Sequence, residues 1–107
     1  MAYAISLAPE AVADLRRLTA RLRSEVRDAM AAHLTHGPTR VSKSRIKRLR
    51  GLARPQYRLR VGDIRVFYDV AGAEVRVLAI VAKADADAWL EQAGQPDEEG
   101  PPLGSER

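Results

Sequence analysis

The chain has 107 residues, 46% hydrophobic and 30% charged, which fits one globular domain and excludes a disordered chain. Its formal net charge of +4 is uneven: residues 84–107 hold seven acids against Arg107 alone, so the rest of the chain carries about +10. With no cysteine, disulfides, thiolate nucleophiles and cysteine-based zinc sites are excluded.

Tyr3 to Leu7 alternates, with Tyr3, Ile5 and Leu7 on one side, and predicts a short strand. Pro9 suits the first position of a helix. From there Val12, Leu15, Leu18 and Leu22, then Val26, Ala29, Met30 and Leu34, recur at helical spacing as far as His36. That run is long for one helix in a small domain, and Thr19-Ala20 is its weakest point, so two antiparallel helices with a break near residues 18–21 are expected. Gly37-Pro38 ends the second helix.

Residues 39–54 read as a basic connection, with Ile46, Leu49 and Leu52 able to pin it to the core. Three strand patterns follow. Gln56 to Val61 sets Tyr57, Leu59 and Val61 on one face and Arg58 and Arg60 on the other. Gly62-Asp63 reads as a tight hairpin turn before Ile64 to Val70. Ala71-Gly72-Ala73 turns into Val75 to Ala82, a nearly continuous apolar run expected to be central and covered on both faces. Ala84 to Ala93 predicts a short helix with Trp89 and Leu90 facing inward.

The expected fold is α+β: an N-terminal strand that joins the sheet, a helical hairpin packed on an antiparallel meander, and a short C-terminal helix. Residues 1–93 form the domain. Residues 94–107, rich in proline, glycine and acids, are expected to be a disordered tail whose removal after Gly94 leaves the fold intact. No apolar run approaches the ~20 residues that cross a bilayer. The N-terminus lacks a basic signal-peptide opening, so a cytoplasmic protein with no membrane partner is expected.

Ten of the eighteen basic residues lie between Arg40 and Arg65, where Asp63 is the single acid. Such a segment is either a solvated basic loop or a surface for a polyanion, most commonly a nucleic acid. Arg45, Lys47, Arg48, Arg50 and Arg54 are its candidate nucleic-acid contacts. Arg58, Arg60 and Arg65 are expected to share an exposed, concave basic face. His33 and His36, three apart on a helix with no acid cluster nearby, suggest no metal site, and no cofactor is called for.

Leu15-Arg16-Arg17-Leu18 in the first helix, Leu49-Arg50-Gly51-Leu52, Tyr57-Arg58-Leu59-Arg60, Ile64-Arg65-Val66-Phe67-Tyr68 and the Val75–Ile80 run together resemble the RelE/ParE toxin superfamily of bacterial toxin–antitoxin modules, from Met1 to about Leu90. The resemblance implies a RelE-like fold and a cognate antitoxin that silences the toxin. In the RelE branch it implies cleavage of mRNA on the ribosome; in the ParE branch, poisoning of DNA gyrase. A third reading is a toxin fold of low activity kept as a binding partner. Arg58, Arg60 and Arg65 stand where the RelE nucleases carry basic residues. Lys83 stands for the basic residue after the last strand, and Trp89 lies near the position of an aromatic hydroxyl.

Metal-independent RNA cleavage needs a base for the 2′-hydroxyl, positive charge on the pentavalent phosphate and an acid for the 5′-oxygen. Arg58, Arg60 and Arg65 supply the charge. Lys83 is the candidate base if neighbouring arginines disfavour its protonated form. Tyr57 and Tyr68 are further proton donors, or core residues with one bonded hydroxyl.

Overall fold

The computed structural model describes residues 2–97. Its elements in chain order are β1 (Ala4–Leu7), α1 (Pro9–Arg17), α2 (Ala20–Leu34), β2 (Ile46–Arg48), β3 (Leu52–Arg54), β4 (Tyr57–Val61), β5 (Ile64–Ala71), β6 (Glu74–Ala82), a 3-10 turn (Lys83–Asp85), α3 (Ala86–Ala93) and β7 (Gln95–Pro96). Five strands form one sheet in the order β1-β6-β5-β4-β2, and β3 pairs with β7 in a separate two-stranded ribbon. β1 runs parallel to β6; the other pairs are antiparallel.

The helical run breaks where expected. Leu18 leaves the helix with ψ 154°, and the Thr19 side chain accepts from Leu22 N at 3.2 Å to begin α2. Arg23 reaches back from α2 to the open end of α1: its Nη2 donates to Leu18 O at 2.9 Å and its Nε to Leu15 O at 3.3 Å. Arg23 thereby gives Leu18 O a donor and adds a second to Leu15 O, which already accepts from Leu18 N at 3.2 Å. The hairpin buries Ala11, Leu15, Val26, Met30 and Leu34 against Leu59, Val66, Tyr68, Val75, Val77 and Ile80 of the sheet. Tyr68 is fully buried, and its hydroxyl donates to Pro38 O at 2.6 Å, tying the loop after α2 to the middle strand.

β5, not β6, is the middle strand, and β6 lies between it and β1. The apolar run of β6 has a local cause. The β5–β6 register pairs Phe67 with Ala79 but Tyr68 with Val77, so Leu78 is an extra residue. This bulge interrupts the strict alternation of faces. Val75, Val77 and Ile80 pack under the helices, whereas Ala79 joins Phe67 and Ala86 in a smaller core on the other face. The backbone N–H of Ile80 donates to Asp14 Oδ2 of α1 at 2.9 Å. A helix carboxylate thus takes a donor beside the irregularity.

The segment 39–54, expected to be a connection, contains two strands. In β2, Ile46 is 3% exposed and pairs with Leu59, so one apolar residue seats an edge strand. Its neighbours Lys47 and Arg48 are exposed, so too little alternation exists to signal a strand. β3 is held by β7 and by Asp97 N donating to Gly51 O at 3.0 Å. Order therefore continues past Gly94; of the expected tail, residues 98–107 lie outside the described residues. The last helix begins at Ala86, two residues later than expected, behind a 3-10 turn.

Candidate functional site

Strand alternation and register bring the arginines together. Arg60 pairs with Arg65, Arg58 with Phe67, and Lys47 with Arg58, so Lys47, Arg58, Arg60 and Arg65 share the face opposite the helical hairpin. The β2–β4 ladder extends by Arg60 N donating to Arg45 O at 2.8 Å, which holds Arg45 at the same end. Together with Lys43 and Ser44, these residues line a cleft of about 110 Å³ whose lining includes no carboxylate. Lys43 and Ser44 were not singled out in the sequence; their signal is membership of the basic run.

The three arginines do not share one exposure. Arg60 is exposed and Arg58 half-buried, but Arg65 is only 7% exposed. Expecting an exposed Arg65 was incorrect, because β5 is the middle strand. Its Nη1 donates to Gly62 O at 2.8 Å and to Ile64 O at 3.1 Å, both in or beside the β4–β5 turn. Gly62 has φ +58°, the left-handed conformation such a two-residue turn favours. Nε and Nη2 of Arg65 have no protein acceptor among the described residues. Burial pushes the Arg65 guanidinium below its usual pKa; repulsion from Arg58 and Arg60 adds to this, and Asp63 opposes it. Arginine starts so high that it remains a cation, so the shift measures strain. Like charges gathered in a cleft whose lining holds no carboxylate are an arrangement that suits an anion.

The remaining candidates separate. Arg48 lies on the Tyr57 side of β2, 5.3 Å from the Tyr57 ring centroid, with Nη1 donating to Leu49 O at 2.9 Å and Gln56 O at 2.8 Å. Arg54 pairs with Asp69 Oδ2 at 2.9 Å and lines a different depression with Asp69, Glu74 and Arg76. Arg50 is exposed in the turn before Gly51, away from the cleft lining. Lys83 is exposed where β6 ends; its backbone N–H donates to Asp63 O at 2.7 Å, and it lines a depression with Asp63, Ala82 and Ala84 rather than the arginine cleft.

Neither tyrosine proposed as a proton donor lies on the arginine face. Tyr57 stacks on Tyr68 with centroids 5.5 Å apart, on the side of the helices. Burial, with Tyr57 adding, raises the Tyr68 pKa well above its ordinary value, so its hydroxyl stays protonated on Pro38 O. Trp89 stacks on Phe67 at 4.8 Å and 13°, which makes it an anchor for α3. Among the described residues no group of three or more histidines, aspartates or glutamates is placed to hold a metal ion.

The family described as the ParE toxin of type II toxin–antitoxin system, parDE, matches residues 5–87. Among solved structures, the chain resembles a double arginine-to-alanine mutant of the Escherichia coli toxin RelE in the free state, at 24% identity and TM-score 0.65, covering 87% of this chain and 95% of that one. It also resembles the archaeal RelE–RelB complex from Pyrococcus horikoshii, at 23% identity and TM-score 0.64, with 78% and 97% covered. A third likeness is the toxin–antitoxin complex RelBE2 from Mycobacterium tuberculosis, at 25% identity and TM-score 0.59, with 77% and 99% covered. No curated protein sequence matches the chain.

Proposed function

The chain belongs to the RelE/ParE superfamily of type II toxin–antitoxin toxins, and from that premise we propose that it is a metal-independent endoribonuclease that cleaves mRNA on the ribosome. The observation that carries this reading is the convergence of Arg58, Arg60 and Arg65 on one cleft without a lining carboxylate. The scissile phosphate sits there, its non-bridging oxygens facing Nε and Nη2 of Arg65, with Arg58 and Arg60 adding charge. The RNA 2′-oxygen forms a bond to the adjacent phosphorus and loses its proton to a base. The bond from phosphorus to the 5′-oxygen breaks, and that oxygen takes a proton. A 2′,3′-cyclic phosphate and a 5′-hydroxyl result. Preorganised guanidinium groups stabilise the extra charge of the pentavalent state, a contribution of about 3 kcal/mol per well-placed donor. An arginine does not readily release its proton, and Lys83 lies outside the cleft lining, so Lys83 is proposed as the base on the condition that bound RNA reaches from the cleft to the end of β6. Substrate positioning comes from the ribosome, which lets a sparse site work.

A cognate antitoxin silences the toxin, and its toxin-binding half is acidic. Arg45 and Lys47, which line the cleft, guide the RNA; Arg48, Arg50 and Arg54, candidates only by their place in the basic run, lie outside the cleft lining, and Arg48 and Arg54 are already bonded within the protein.

The test is induction without antitoxin, with mapping of mRNA ends and of gyrase-linked DNA breaks. Arg65→Ala should lose most mRNA cleavage, and Lys83→Arg should be no better than Lys83→Ala. A second reading, inhibition of DNA gyrase, is favoured by the ParE description of the matching family and by Trp89 where an aromatic hydroxyl was expected. A folded triple alanine variant of Arg58, Arg60 and Arg65 that binds antitoxin and still arrests growth would replace the nuclease reading with this one.

A further inference from the structure

A second basic cavity, of about 320 Å³, opens where the end of α2 meets the loop to β2. His33 lines it from the last turn of α2 and His36 from just past the end of that helix. Arg40 lines it from the turn that follows, where its backbone N–H donates to Gly37 O at 3.1 Å. The Arg40 side chain packs beside Gly37, where a Cβ would make only ordinary contact with it, 3.8 Å from Nε. Ser42 shapes the far wall, its Oγ accepting from Arg45 N at 3.0 Å and Ile46 N at 3.3 Å, with buried Ile46 as the anchor. Arg45 lines both this cavity and the arginine cleft, so the two share a wall.

No acid lines either cavity. Among the described residues, the side chains of His33, His36, Arg40 and Arg45 have no hydrogen-bond or ion-pair partner. Four nitrogen-bearing side chains without protein acceptors, around a concavity of this size, suit several anionic groups rather than a single small ion. The opposite end of the sheet differs. The depression at Arg54 also carries Asp69 and Glu74, and Arg54 is already paired. Carboxylates there repel a phosphate chain.

We propose that the cavity at the end of α2 binds the phosphates next to the scissile one, so that a single RNA strand leaves the arginine cleft over Arg45 toward His33, His36 and Arg40, and not past Arg50 and Arg54. This rests on the RNA-cleaving reading above and gives that site its polarity. His33 and His36, to which the sequence assigned no role, become phosphate-binding residues.

The experiment measures binding of a labelled single-stranded RNA oligonucleotide to the full chain across a salt series, alongside antitoxin binding. The combined His33→Ala, His36→Ala, Arg40→Ala variant should bind about tenfold more weakly. The slope of log affinity against log salt should fall by about 0.7 for each phosphate that is no longer neutralised. Arg40→Glu alone, which leaves the helix untouched, should weaken binding at least as much, and Arg50→Ala should leave it unchanged. Melting midpoints of all three should match the wild type, because these side chains have no protein partners to lose. If the combined variant and Arg40→Glu keep wild-type affinity and slope while Arg58→Ala and Arg60→Ala lose RNA, the inference is overturned and the nuclease reading stands. If the wild type neither binds RNA nor cleaves message, both fall. Loss of antitoxin with RNA binding intact would assign the cavity to a protein partner and overturn the inference.

Discussion

At Arg65 the proposed role in cleavage and the stability of the fold pull in opposite directions. The residue is 7% exposed, and burial together with Arg58 and Arg60 disfavours its charged form. A base whose folded pKa is lowered costs stability wherever it is protonated, which for arginine is the whole working pH range. Arg65→Met, similar in reach and without charge, should therefore raise the melting midpoint while abolishing cleavage, at roughly 4–8 °C for each kcal/mol gained. A lower midpoint in thermal melts would mean that the bonds to Gly62 O and Ile64 O outweigh the repulsion. Tyr68 gives the opposite dependence. Its pKa is raised by burial, so its contribution is fully present below about pH 10, the unfolded value, and is lost as pH rises through the folded value. Tyr68→Phe should cost about 1–2 kcal/mol at neutral pH by leaving Pro38 O without its donor. It should also flatten the loss of stability above about pH 10 in denaturant titrations.

At the scale of elements, two irregular pieces decide how the sheet is finished. The β6 bulge leaves Ile80 N facing α1, where Asp14 accepts it. Asp14→Ala should destabilise by about 1–3 kcal/mol through an unpaired backbone donor, and Asp14→Asn, which keeps an acceptor, by less. Chemical denaturation separates the two; equal losses would point to the Arg17–Asp14 ion pair as the source instead. At the other end, β7 closes over β3, and Gly94 packs tightly, a Cβ there falling 2.5 Å from Leu90 O. Truncation after Asp97 should leave the melting midpoint unchanged, whereas truncation after Gly94 should lower it slightly by freeing β3. This revises the sequence-based expectation that the chain is expendable from Gly94 onward.

For the whole molecule, charge is sorted by position. Seven of the ten basic residues between Arg40 and Arg65 line the arginine cleft or the cavity beside it, and half of the acids lie after residue 84. Association with an acidic antitoxin segment should be fast and should weaken steeply with added salt, because complementary charge steers encounter and salt screens it. Stopped-flow association rates indifferent to ionic strength would show an interface led by apolar surface instead. The free toxin should also gain melting temperature from phosphate beyond an equal ionic strength of chloride, since an anion bound only by the folded cleft stabilises it by mass action.

Much of this was legible in order along the chain, because local rules sufficed. Pro9, the weak point at Thr19-Ala20 and the stop at Gly37-Pro38 marked the helices. Period-two alternation in Tyr57–Val61 put Arg58 and Arg60 on one face, and glycine turns marked the meander. What the sequence could not carry were features that exist only between distant segments. A three-residue strand such as β2 has no period to read until Leu59 supplies a partner for Ile46. The bulge at Leu78 is a mismatch of two strands and belongs to neither alone. Arg65 reads like any strand arginine, and only its place in the middle strand buries it. Lys83 and Arg54 sit in a basic sequence, yet strand ends and the Asp69 carboxylate draw them away from the cleft. Residue type and spacing thus determined the elements and the positive charge of one face. Register, strand order and the folding of a loop against the end of α2 decided which of those charges meet, because contact among residues far apart in the chain is set by packing.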